Sequence, residues 1–285
     1  MDPKHIRDAA EKTRISLARM NSLHQKRLEA SIKKLQKRII TQVNFLAANP
    51  DGNLIAQKTN LIQAQKVYKD TLKIYEETYN KAYQSVVADF DKISTGVIAM
   101  YSSLGEAVAF TGADRIMISE LKKLSLSRFS AYAVEAQDKF SRAMYESVVG
   151  GAPHSQLRNT IRGIFTGHKD RIGRPMAMHA KTHARDAVRN FQNQVSMTKA
   201  EDIGIDEFLY HGNVMGTTRT FCSHRVGNIY TRKQIDSWTH KWPGKSGPAW
   251  TDRGGYNCRH NWQPVRAEWV EGKTLGEFNP TKKKK

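Results

Sequence analysis

The stretch Arg219-Thr220-Phe221-Cys222-Ser223-His224-Arg225-Val226-Gly227, with its continuation Arg253-Gly254-Gly255-Tyr256-Asn257-Cys258-Arg259-His260-Asn261-Trp262-Gln263-Pro264-Val265, decides how the rest of the chain is read. Both cysteines lie in it, each followed two residues later by a histidine. Four of the five tryptophans (Trp238, Trp242, Trp250 and Trp262) fall between its ends. Upstream, apolar residues recur at helical spacing. The expected fold is therefore mainly α: long N-terminal helices as a helical hairpin or stalk, then a small α+β head with short β-hairpins.

Zinc takes four Cys and His ligands, commonly as two close pairs from separate turns. Cys222/His224 and Cys258/His260 supply that stoichiometry, and Gly254-Gly255 can present the second pair on a tight turn. One intervening residue is tighter than the usual spacing of about two to four. One pair can then use only its cysteine, with His240 completing the set. Two other readings stay open: a Cys222–Cys258 disulfide, and two ordinary buried thiols.

A catalytic reading gathers His224, His240, His260 and Asp252 into the acid–base group of a nuclease or toxin-type enzyme. Cys222 and His224 as nucleophile and base is weaker, because near neighbours in sequence seldom face one another productively. No P-loop, dinucleotide fingerprint or His-Glu-x-x-His occurs, which removes support for nucleotide hydrolysis and zincin proteolysis. The tryptophans are expected to supply the bulk of the head's core. Arg219, Arg225, Arg253 and Arg259, interleaved with them, either contact phosphate or brace the aromatic rings.

Working outward, residues 3–48 read as one long basic helix, with Leu28, Ile32, Leu35, Ile39 and Val43 on one stripe. Its cations include Arg14, Arg19, Lys26, Arg27, Lys33, Lys34, Lys37 and Arg38, candidates for nucleic-acid or partner contact. Asn49-Pro50-Asp51-Gly52-Asn53 ends that helix. A second helix is expected over about 54–108, with Tyr68, Leu72, Tyr75, Tyr79, Val86 and Phe90 as core, and with Gly96 and Gly105 as possible breaks. Thr111 or Asp114 caps a third, running to about Val149. Gly150-Gly151-Ala152-Pro153 closes it, a short amphipathic helix covers about 155–165, and another runs from Pro175 to about Lys199. Beyond Gly204, short alternations at 207–210 and 226–230 predict strands. Residues 1–150 thus form a long-helix region, 151–272 the head, and 273–285 a loose tail ending in Lys282, Lys283, Lys284 and Lys285.

The charge balance narrows the partners. Across 285 residues, 46 Lys and Arg oppose 27 Asp and Glu, a net charge of +19. Such an excess favours a polyanionic partner, and the 39% hydrophobic fraction is too rich for a disordered chain. No apolar run reaches the length of a membrane span, and the N-terminus lacks a signal-peptide core, so the chain is expected to remain where it is made.

From about Gly150 to Val265 the sequence resembles the phage Mu F-like head morphogenesis family, minor head proteins of tailed phages. The residues that carry the resemblance are the Gly151–Phe165 helix, the pattern Ala177-x-x-Ala180-x-Thr182-His183-Ala184-Arg185-x-Ala187-x-x-Asn190, then Thr218 to Cys222 with Gly227, and Arg253 to His260 ending in Trp262-Gln263-Pro264-Val265. Arg219, Gly227, Arg253, Gly254, Gly255, Asn257, Trp262 and Pro264 are its structural motif residues. The resemblance implies a low-copy virion component inside the capsid at the portal vertex, acting in head morphogenesis or genome delivery. It implies the portal protein and packaged double-stranded DNA as partners, possession of no established enzymatic activity, and assembly in the host cytoplasm. Ejection with the genome is a further expectation. Many relatives carry a second Cys where this chain has His, which leaves the metal question open.

Overall fold

The computed structural model describes residues 3–167, 175–239 and 247–270. The element order is α1 (Pro3–Val43), α2 (Lys58–Tyr75), a π-helical turn (Glu76–Asn80), α3 (Lys81–Ala88), α4 (Phe90–Ser103), α5 (Gly112–Val149), α6 (His154–Phe165), α7 (Met176–Asp202), β1 (Glu207–His211), α8 (Thr220–Ser223), β2 (Ile229–Thr231), α9 (Arg232–Asp236), α10 (Ala249–Asp252), β3 (Asn261–Val265) and α11 (Ala267–Val270). Long helices lead into a small three-stranded antiparallel sheet, as the periodicities require. Among the described residues no helix is long and apolar enough to cross a membrane.

The chain divides into two compact units, each with its own core. One comprises Ser22–Ala88 and Lys122–Ala184. Its centre is the α1 stripe: Leu28, Ile32, Leu35, Ile39 and Val43 are all fully buried. Tyr79 and Tyr83 stack on Phe129 of α5, with ring centroids 4.9 and 3.5 Å away. Of the expected core residues of the second helix, Tyr75, Tyr79, Val86 and Phe90 are buried, Tyr68 is half-buried and Leu72 is exposed.

The turn after α1 is built as its composition dictates. The Asn49 side chain accepts from the Asn53 backbone at 2.9 Å, and Gly52 takes the positive φ of 80°. Buried Asn60 ties the turn down, accepting from Ala47 N–H and donating to the carbonyls of Ala47 and Ile55. The expected second helix is interrupted at different places from those anticipated. It starts at Lys58, passes through the π turn and breaks at Asp89, whereas Gly96 lies inside α4 and only Gly105 (φ 80°) closes a helix. Within the π turn the Thr78 hydroxyl donates back to the Ile74 carbonyl, the local competition that loosens helical winding.

The other unit comprises Met1–Asn21, Asp89–Leu121 and Arg185–Lys285. Phe90 meets Phe191 with centroids 4.3 Å apart, and the Tyr101 hydroxyl donates to the Ser196 carbonyl. Thr111 and Asp114 cap α5 reciprocally: Thr111 N–H donates to the Asp114 carboxylate, and Asp114 N–H to the Thr111 hydroxyl. That same carboxylate pairs with Lys199 at 2.6 Å, both side chains almost fully buried.

The sheet order is β2-β1-β3. Leu209 opposes Ile229 on one side of β1 and Gln263 on the other. The strand β3 was not anticipated. Its sequence, Asn-Trp-Gln-Pro-Val, lacks alternation because all five residues are buried, and Pro264 is tolerated because β3 is a sheet edge. Of the four expected core tryptophans, Trp262 is fully buried, Trp238 and Trp250 are half-buried, and Trp242 lies outside the described residues.

Candidate metal centre

The register that sets Tyr210 opposite Trp262 organises the site. The two rings lie 4.5 Å apart, and Tyr210 also stacks on His260 at 5.3 Å. Two loops converge beneath them. Cys222 comes from the single turn α8, and Cys258 from the bend before β3. Arg219 ties the loops together, donating to the Tyr256 carbonyl at 2.7 Å. Gly227, with φ 83°, donates to the Tyr210 carbonyl and folds the first loop against β1.

The bend is wound by three left-handed residues in five: Arg253 (φ 53°), Gly255 (φ 82°) and Asn257 (φ 61°). Two of these are not glycine, a strain of about 1–3 kcal/mol each. Asn257 is anchored by its N–H to the Asp186 carboxylate at 2.9 Å. Gly254 offers its backbone N–H to the Cys258 sulfur at 3.4 Å. His260 is seated against Gly212, where a Cβ would stand 2.5 Å from the imidazole Cδ2. Neither Tyr210 nor Gly212 carries a signal in the sequence beyond the end of a strand.

The product is a buried group of Cys222, Cys258 and His260 whose ligand atoms all lie within 4.8 Å of one another. The two sulfurs are 3.9 Å apart and both thiols are free, so they are not joined as a disulfide. Cys258 Sγ stands 3.5 Å from His260 Nδ1. A tetrahedral ion with Zn–S and Zn–N bonds of about 2.3 and 2.0–2.1 Å has S···S and S···N edges of roughly 3.8 and 3.6 Å. The Cys222–Cys258 and Cys258–His260 separations match those edges. The Tyr210 hydroxyl completes the polar group, 3.3 Å from Cys222 Sγ and 3.6 Å from Cys258 Sγ.

Electrostatics favour one thiolate. The Cys222 thiol, donating to Cys258, holds Cys258 well below the usual thiol range; burial opposes this, while His260 and Arg253 reinforce it. Cys222 is pushed far up by the same hydrogen bond and by burial. Burial, then the two sulfurs, pushes the Tyr210 phenol up as well. A negative, enclosed sulfur suits a cation better than a substrate.

His224 is not part of this group: it is exposed, because α8 turns it away from the cysteine two residues before it. His240 lies outside the described residues. His224 is exposed and His260 buried with the two thiols. Arg225 braces aromatic rings, its guanidinium 3.9 Å from the Phe221 centroid and 4.3 Å from that of Trp238.

The cations of α1 are mostly on the surface. Arg19, Lys26, Arg27, Lys33, Lys34 and Lys37 are exposed, and Arg14 and Arg38 half-buried. Arg14 pairs with Glu11, Arg38 with Glu77 at 3.1 Å, and Lys33 with Glu29 at 3.3 Å. Such pairs contribute little at a wet surface. Lys282 to Lys285 lie outside the described residues. No family model, curated protein or solved structure matches the chain.

Proposed function

We propose that this protein is a non-enzymatic minor head protein of a tailed phage, held inside the capsid at the portal vertex beside packaged double-stranded DNA. Its part is in head morphogenesis or genome delivery. One observation carries the reading: the motif residues Arg219, Gly227, Gly254, Asn257 and Trp262 all serve to close one buried cluster. Residues spent on enclosing a centre, with its best nucleophile almost fully buried, belong to a stabilised structural module rather than to an active site.

Zinc is the ion proposed for the centre. Cys222, Cys258 and His260 would hold it, with the Tyr210 hydroxyl beside the two sulfurs. When bound it would cross-link the α8 loop to β3, a structural role that supplies folding energy to a head of short elements. The exposed cations of α1 and the +19 net charge suit a polyanion, and binding to DNA would be through the backbone and not sequence-specific.

Quantitative mass spectrometry of purified particles tests the role, with the chain counted against the portal protein before and after genome release. A fixed low ratio in intact particles is expected. Retention on release marks a structural component and loss an ejected one. Absence from intact particles would overturn the proposal.

A further inference from the structure

Next to the thiols lies a second group of charged side chains, two of them buried. Arg185 and Arg189 stand one turn apart on α7, and Arg253 and Arg259 flank Cys258 on the bend before β3. Arg253 is 1% exposed and Arg189 6%. Their partners are carbonyls, not carboxylates: Arg189 Nη1 donates to the Arg259 carbonyl at 2.5 Å, and Arg253 Nη1 to the Thr251 carbonyl at 3.0 Å. The Nε atoms of Arg185, Arg189 and Arg253 are buried without a hydrogen-bond partner.

Among the described residues acting on Arg185 and Arg189, Asp186 is the one carboxylate, with one oxygen engaged by Asn257 and the other buried unpartnered. Arg185, Arg189 and Arg253 therefore share one carboxylate, Asp186, while Arg259 adds a fourth positive charge beside Arg185. Burying unpaired charge costs several kcal/mol per ion unless a counter-charge joins it. Burial and then Arg253 push Arg189 down to about 10, and burial pushes Asp186 up to about 6; both mark a weakly solvated site.

We infer that Arg185, Arg189, Arg253 and Arg259 form a binding site for a phosphate oxyanion. The planar forks of arginine suit a phosphate's oxygens, and the unpartnered Nε–H groups of Arg185, Arg189 and Arg253 are donors that such oxygens accept from. Arg189 and Arg253 form the floor, while half-buried Arg185 and exposed Arg259 leave an approach from solvent. The shared ligand chemistry is the non-bridging phosphate oxygens, common to the free ion and to a nucleic-acid backbone.

The test uses the purified full-length chain and does not depend on its role in a particle. Thermal unfolding is followed in inorganic phosphate and in chloride at equal ionic strength. At ten times the phosphate dissociation constant the midpoint should rise by about 3 °C or more over chloride. Arg185→Gln, which alters only the half-buried approach, should abolish that rise while metal content is unchanged. Arg189→Met should do the same if it folds. Short duplex DNA that displaces phosphate from the wild type identifies the source as a nucleic-acid backbone; failure to displace it identifies the free ion. No rise over chloride, or an equal rise in Arg185→Gln, would overturn the assignment.

Discussion

Gly254 and Cys222 approach so closely that a Cβ on residue 254 would lie 2.2 Å from the Cys222 sulfur and 3.2 Å from that of Cys258. Gly254→Ala must therefore push the two loops apart. The expected cost is about 1–3 kcal/mol, as for overpacking a tight core, and metal retention should fall with it. Gly96 has the opposite sign. It sits inside α4 with nothing within 4 Å of an added Cβ, so Gly96→Ala should stabilise by about 0.5–1 kcal/mol. Urea unfolding of both variants checks the pair.

Metal content separates the buried group from its exposed neighbour. The purified chain should hold about one zinc ion, lost in Cys258→Ser and His260→Ala but retained in His224→Ala. Elemental analysis of the three variants reads this directly. Loss of metal in His224→Ala alone would restore the exposed histidine to the ligand set.

Asp114 and Lys199 make a buried ionic contact, and Lys199 also reaches the half-exposed Asp202 carboxylate at 2.7 Å. Burial raises the Asp114 carboxyl, but hydrogen bonds from Lys199 and Thr111 outweigh it and hold the group below its ordinary range. Their side chains are 5% and 3% exposed, so Lys199→Met strands a carboxylate and should cost about 3–5 kcal/mol. Adding Asp114→Asn should recover part of that loss in the urea midpoint.

A pH dependence follows from His154. Its Nε2–H donates to the Val43 carbonyl at 3.1 Å and its Nδ1 accepts from Arg158 at 2.9 Å, the pattern of a neutral ring. Burial is the main cause that holds it below its ordinary value. Because the folded value lies below the unfolded one of about 6.5, its contribution is present above that pH and is lost as pH falls through the folded value. Stability should decline from about pH 7 to 5, and His154→Gln should flatten the decline. An unchanged slope in that variant would assign the decline to other groups.

DNA affinity should fall steeply with salt. Replacing Lys26, Lys34 and Lys37 by Gln should lower the slope of log K against log salt by roughly 0.9 for each phosphate contact removed, alike for all sequences. Binding unchanged between about 50 and 200 mM salt would remove the DNA-backbone contact.

The sequence by itself determined the helices, the turns between them and the stretch that matters. The Leu28–Val43 stripe, the Asn49–Asn53 turn and the Thr111/Asp114 cap are local patterns, and each is found where its spacing puts it. The break at Asp89 and the strand β3 were not legible, since a fully buried edge strand containing proline shows no period of two. Only the tertiary structure decided that Cys222 meets Cys258 and His260 while His224 faces solvent, that Tyr210 joins them, and that Arg185 and Arg189 gather beside Arg253. The reason is physical: spacing fixes which face of a helix or strand a residue occupies. Which distant faces are brought together depends on packing, on the Arg253–Asn257 bend and on the pairing of β1 with β3.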